Sequence, residues 1–138
     1  GPVAAVEVCQ LQAPTIAAEA GQRHGVTVQR VTDRPRNSAN AADPWQRARL
    51  SEFADALEAG ADPKLIDALD AQGQGDAIAW RYMKPIVIEP VCLTCHGPAL
   101  APDLAQTLDR LYPQDAARGY AVGDLRGAFF VEWLQPRE

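Results

Sequence analysis

The amino-acid sequence predicts an α+β fold, an antiparallel sheet with helices packed on one of its sides. Three observations carry that expectation. Apolar residues recur at three-to-four spacing through the first part of the chain, as on one face of a helix. Three later stretches alternate in the two-residue period of strands. Two Asp-Pro pairs, Asp43-Pro44 and Asp62-Pro63, supply helix starts between those strands. At 138 residues the chain suits one domain, spanning 1–138, around one core.

In chain order, the first helix is expected from Val3 to about residue 22, through Val6, Cys9, Gln10, Ala13, Ile16, Ala17 and Ala20, with Gly21 and Gly25 as stop signals. Pro14 lies inside it and removes one amide donor, so a kink is expected between Gln10 and Pro14. The same spacing sets Cys9 on the apolar stripe, facing the core, where a free cysteine behaves as a small hydrophobe. Val26, Val28 and Val31 mark the first strand. The polar, proline-bearing segment from Asp33 to Pro44 is long for a loop, and such loops are usually functional or disordered.

Asp43 caps and Pro44 opens a helix with a buried face of Trp45, Ala48 or Arg49, Phe53 and Ala56 or Leu57, ending at Gly60. Asp62-Pro63 repeats the start signal for a second short helix through Leu65, Ile66, Ala68 and Leu69, closed by Gly73 and Gly75. Ala77 to Glu89 reads as a strand in which Pro85 requires an edge position or a bulge. A helix from Asp103 to Tyr112 follows, through Leu104, Leu108 and Leu111. The last strand runs from Leu125 to Leu134, with Ala128, Phe130 and Glu132 on one face.

The net charge of −5 argues against nucleic acid or an anionic membrane as the main partner. No apolar run approaches the roughly 18 residues that span a bilayer, so no membrane span is expected in these residues. Gly1-Pro2 has the form of a scar left by tag cleavage, and a signal peptide or anchor is expected to have been removed ahead of it.

Chemistry enters at Cys92-Leu93-Thr94-Cys95-His96. Two thiols separated by two residues, with a histidine directly after, are the signature of c-type haem attachment. Each thiol adds across one vinyl group of the porphyrin, and the spacing lets both sulfurs reach the same edge. His96 then offers a ring nitrogen to the iron as proximal ligand. A thioredoxin-type pair would open a helix, which Gly97-Pro98 disfavours. Zinc needs four ligands, and with three cysteines and two histidines the chain would have to recruit Cys9 or His24 from far away. Haem c, with its iron, is therefore the expected cofactor. Such attachment is normally made outside the cytoplasmic membrane, which implies a periplasmic or otherwise extracytoplasmic address. Cys9 is then a lone thiol in an oxidising compartment, where an unpaired thiol needs a reason. Arg34 and Arg36 in the long loop are candidate partners of the haem propionates, a solvated loop being the plain alternative. Met83 is better read as core than as iron ligand, since it precedes the motif.

Several motifs together resemble the single-haem, c-type, PAS-like domain family, long known as a domain of unknown function. The pieces are Pro35-Arg36-Asn37 with Asn40, Asp43 and Trp45; Arg81-Tyr82 with Pro85-Ile86; the Cys92-to-Gly97 motif; and Tyr112-Pro113 with Asp115, Ala117, Gly119-Tyr120, Gly123-Asp124 and Arg126-Gly127-Ala128. Ser38, Ala42 and Phe130 depart from the family pattern without touching the haem motif. The resemblance implies a PAS-like antiparallel sheet with a long N-terminal helix, and helices packed over a haem pocket. It also implies a cysteine on the N-terminal helix as the second axial ligand, which places that role on Cys9, with His24 as competitor. Tyr120 and Arg126 join Arg34 and Arg36 as candidate propionate or pocket contacts.

A His/Cys pair on iron favours the ferric state, and a ligand that can leave suits a sensor of redox state or of a small gas. A redox or signalling partner then receives the signal. A periplasmic electron-transfer cytochrome is the alternative. An enzyme acting on a small nitrogen or sulfur compound ranks last, because it needs an open iron position with an acid or base beside it. The cofactor would supply much of a small core, so haem-free protein should be partly unfolded. Equal thermal midpoints for haem-free and haem-loaded protein would contradict this.

Overall fold

In the computed structural model, which describes residues 1–137, the chain opens with helix α1 (Pro2–His24). Gly25 closes it in the left-handed conformation, φ 65°. The helix stays continuous through Pro14. Strand β1 (Thr27–Val31), helix α2 (Pro44–Glu58), strands β2 (Ala68–Gln74) and β3 (Ala77–Val87), the single turn α3 (Leu93–His96), helix α4 (Pro102–Leu111) and strand β4 (Leu125–Pro136) follow. The four strands form one antiparallel sheet in the order β1-β4-β3-β2. The α+β expectation holds. Among the described residues, no helix is long and apolar enough to cross a membrane.

Strand register explains the main core. Val31 of β1 pairs with Ala128 of β4, which pairs with Pro85 of β3. Phe130 pairs with Met83, and Met83 with Ala68 of β2. These side chains share one face of the sheet, and α2 lays Leu50 and Phe53 across them. Asp43 starts α2 with a full capping box, its carboxylate accepting from the Gln46 amide while Gln46 accepts from the Asp43 amide. Trp45 meets Phe130 edge-on, with centroids 6.3 Å apart. On the opposite face Trp80 and Trp133, partners in register, stack at 6.1 Å.

Three expectations need correction. The second Asp-Pro pair opens a single 3-10 turn, Pro63–Leu65, and not a helix; Ala68 and Leu69 belong to β2. The two-residue turn Gly75-Asp76 folds β2 onto β3, with Gly75 at φ 59°. Pairing along β3 outweighs the helix start signal there. In α2 the expected face of Trp45, Arg49, Phe53, Ala56 and Leu57 is buried or half-buried, but Ala48 is exposed and the most buried stripe adds Gln46 and Leu50 to Phe53. In α1 the buried and half-buried positions are Val3, Val6, Gln10, Ala17, Ala20 and Gly21, and Cys9 is exposed. Cys9 lies about 100° round the helix from Gln10. Small apolar residues surround α1, so spacing alone did not fix which stripe packs.

Pro85 satisfies both of its requirements. β2 ends opposite Met83, so at Pro85 the strand has β4 on one side only, and the register shifts between Ile86 and Val87. The long loop after β1 is ordered at its base. The amide of Thr32 donates to the Asn40 carbonyl at 3.0 Å and the Ala42 amide returns to Thr32 at 3.0 Å, pinching the loop shut. Met83 is completely buried among Val31, Leu50, Phe53 and Phe130. Met83→Ala should therefore cost about 2–5 kcal/mol in chemical unfolding, the range of large-to-small changes in a packed core. Met83→Leu should cost under about 1.5 kcal/mol.

Candidate functional site

Residues 90–96 make one short helical passage, a 3-10 turn at Pro90–Cys92 running into α3. In such a turn positions i, i+3 and i+4 share a face, which groups Cys92, Cys95 and His96. The Gly97 amide donates to the Leu93 carbonyl at 2.9 Å. A β-carbon at Gly97 would lie 2.5 Å from that same oxygen, so only glycine permits the close return. All three cysteines are free thiols. Cys92 packs beside Ile88, Ala117 and Tyr120, whereas Cys95 packs beside Val6, Leu104 and Leu108. The motif thus joins two small clusters, one under the 112–124 segment and one between α1 and α4. No group of three or more His, Cys, Asp or Glu is close enough to hold a metal ion among the described residues.

His96 is oriented by the backbone. Its Nδ1 stands 2.8 Å from the Ala117 carbonyl, so the ring donates there and keeps Nε2 as its electron-pair donor. Tyr120, buried, meets the ring edge-on at 6.3 Å. Burial pulls the His96 pKa down to about 4; the Ala117 bond opposes this, and the Arg36 and Arg126 charges add to it. The imidazole is therefore neutral above that range, the form that ligates iron.

Ala117 sits on a strap held by charge. Asp115, only 3% exposed in its side chain, receives Arg36 Nε at 3.1 Å, Arg118 Nε at 2.8 Å and the Ala117 amide at 2.9 Å. Burial alone would raise the Asp115 pKa, but the hydrogen bonds from Arg118, Ala117 and Arg36 outweigh it and hold the carboxyl below its ordinary value. Arg36 Nη2 also donates to the carbonyls of Cys95 and Ala117. Arg34 Nε donates to the Ala116 carbonyl at 3.1 Å and its Nη2 to that of Arg118. The Ala116 amide closes back on Pro35 at 3.0 Å, and the Tyr120 amide on the His96 carbonyl at 2.9 Å.

The remaining sequence candidates fall around this strap. Arg34 lies 4.1 Å above the Tyr120 ring and Arg126 5.6 Å from its centroid. Arg126 Nη1 donates to Thr32 Oγ1 at 2.9 Å, and burial lowers its pKa. Arg34 and Arg36, expected as propionate partners, have an Nε and an Nη2 each committed to the protein. Cys9 is not in the core, but it belongs to the same neighbourhood. Val6, one turn before it, packs with Leu104, Leu108, Cys95 and Tyr112, and Glu7 bridges to Arg110 at 3.1 Å. The Tyr112 phenol is raised by burial and further by Cys9 and Asp115, against Arg36. His24, 15 positions further along α1 and roughly 22 Å away by helical rise, is exposed at the end that meets β1. Asp115 and Ala117 stood in the motif of the resemblance with no role assigned, and Thr32 was not singled out. Asp115 carries one local signal, the Asp-x-Ala bond of an Asx turn, but its Arg36 partner is remote in sequence.

The model of the Tll0287-like family matches residues 3–133. The chain belongs to that family. The crystal structure of the cyanobacterial heme-protein Tll0287 superposes with a TM-score of 0.70 at 28% identity, covering 95% of this chain and 74% of that one. No curated protein matches the chain. This Tll0287-like chain shares with that structure the long first helix and the antiparallel sheet.

Acid should loosen the strap. Because the Asp115 pKa is depressed in the folded chain, its contribution is complete above the ordinary value near 3.8 and is lost as pH falls through the lower folded value. Thermal midpoints measured from pH 6 down to about pH 2 should fall in that window, and Asp115→Asn should flatten the fall while lowering the midpoint at pH 6.

Proposed function

We propose that the chain is a c-type mono-haem protein, with thioethers on Cys92 and Cys95, His96 as proximal ligand and Cys9 as distal ligand. It serves as a redox or small-gas sensing module outside the cytoplasmic membrane, and turns over no substrate. One observation carries the haem reading: the short helical passage of residues 90–96 brings both free thiols and the Nε2-presenting His96 within five consecutive residues, with the imidazole fixed from behind by Ala117. That the similar Tll0287 is a heme-protein supports it.

Held by Cys92, Cys95 and His96, haem c would supply redox chemistry at its iron. The chain's own residues supply the rest. Ala117 and Tyr120 hold the proximal ring on its side of the site. Cys9 brings a thiol from α1, whose start is latched to α4 through Val6 and the Glu7–Arg110 pair. α1 buries little of itself. Leu11 is 75% exposed and Ile16 59%, so few contacts oppose a shift of the helix when Cys9 engages or lets go.

Two experiments test the assignment. Haem should resist extraction by acidified organic solvent in the native protein and become extractable when Cys92 and Cys95 are both replaced by alanine. The ferric protein should show a low-spin thiolate absorption and spin-resonance signature that disappears in Cys9→Ala and persists in His24→Ala. Persistence in Cys9→Ala would remove Cys9 from the iron and the proposed switch with it.

A further inference from the structure

The Ala117 carbonyl accepts two donors at once. His96 Nδ1 lies 2.8 Å from it and Arg36 Nη2 3.1 Å. The same Arg36 nitrogen donates to the carbonyl of Cys95, the residue before His96, and Arg36 Nε lies 3.1 Å from Asp115 Oδ1. Arg36 is 12% exposed and Asp115 3%, so solvent screens neither charge strongly. Structural strapping alone calls for a donor to these carbonyls, but a cationic donor does more. A carbonyl already polarised by a guanidinium accepts less strongly from the imidazole N–H. The proximal ring then keeps less imidazolate character, and Nε2 donates less electron density.

We infer that Arg36 and Asp115 form a positioning pair that sets the donor strength of His96 through the shared Ala117 carbonyl. Arg36 holds that strength down, and Asp115 offsets part of the guanidinium charge. Arg118, on the other oxygen of Asp115 at 2.8 Å, completes the balance on the carboxylate side, and Arg126 adds a second positive charge near the ring. The inference rests on the haem reading above. A less electron-rich proximal ligand and a net positive surrounding both favour the reduced iron. Arg36 thus raises the reduction potential against the pull of a thiolate, and Asp115 lowers it.

The test is a mediated redox titration of the haem-loaded protein and its Arg36→Gln, Arg36→Lys and Asp115→Asn variants, with thermal midpoints and covalent haem content measured alongside. The expected shifts have opposite signs: the potential falls in Arg36→Gln and rises in Asp115→Asn, while both variants melt earlier. Loosening of the strap alone would move both potentials the same way, and that result, or no shift in either, overturns the inference. Should the glutamine variant fail to accumulate, Arg36→Lys decides. It keeps the charge but loses the fork onto the Ala117 carbonyl, so its potential should fall together with its midpoint; an unchanged or raised potential in that variant overturns the inference. Absence of covalent haem in the native protein would instead overturn the haem reading itself.

Discussion

Asp115 is the constraint on which the site depends. A buried carboxylate is costly unless its lone pairs are filled, and here Arg36, Arg118 and the Ala117 amide fill them. Those partners come from separate parts of the chain. Arg36 arrives from the loop after β1, and the other two from the strap itself. Through Arg36 the carboxylate also reaches the Cys95 carbonyl within the Cys-x-x-Cys-His motif. Removing Arg36 would leave the Asp115 carboxylate short of its most buried partner, and breaking a comparable buried pair costs about 3–5 kcal/mol. Geometry at His96 is thus set by a charge that does not touch it.

The sheet delivers Arg36 to that place. Val31 is the last core residue of β1, and Thr32 follows directly into a pinched loop base. Thr32 Oγ1 donates to the Arg126 carbonyl at 2.8 Å and accepts from Arg126 Nη1, tying the loop to the start of β4. At Gly127 a β-carbon would stand 2.4 Å from the Val31 carbonyl, so the close approach of β1 and β4 needs glycine there. Register in the core therefore propagates to the side chains that hold the strap. A length of loop that looks irregular in sequence is fixed at both ends by the sheet.

What could be read from the sequence follows the range of the interactions involved. The Cys-x-x-Cys-His motif lies within five consecutive residues, so reading it needed no partner elsewhere in the chain. Strand alternation at β3 and β4 and the Asp43-Pro44 start of α2 are also local, and the structure has them where expected. β2 was lost because a strong local helix signal at Asp62-Pro63 competed with a hairpin whose only marker is Gly75-Asp76. The burial of Cys9 was misjudged for a different reason: alanine and valine stand on several sides of α1, and which stripe packs is decided by α4 and β1. Asp115 stood in the motif of the resemblance without a role, because its meaning lies in a partner 79 residues away.

The sidedness of α1 bears on how the proposed sensor is coupled to its cofactor. Two stripes run along this helix. One, through Val3, Val6, Gln10, Ala17 and Gly21, is taken up by α4 and β1. The neighbouring one, through Ala5, Cys9, Ala13 and Ile16, is exposed on the protein. Its residues lie four, four and three apart, so they share a face with the thiol in their midst. On the haem reading this second stripe is the apolar wall around the distal ligand, and small residues on either side of Cys9 permit a flat ring to approach the helix. Docking of α1 then depends on two surfaces of unequal permanence. On that reading the α4 contact would persist through any change at the iron, whereas the second surface would be held only while Cys9 is engaged. Loss of that bond would therefore tilt or loosen the helix about its fixed stripe without releasing it from the domain.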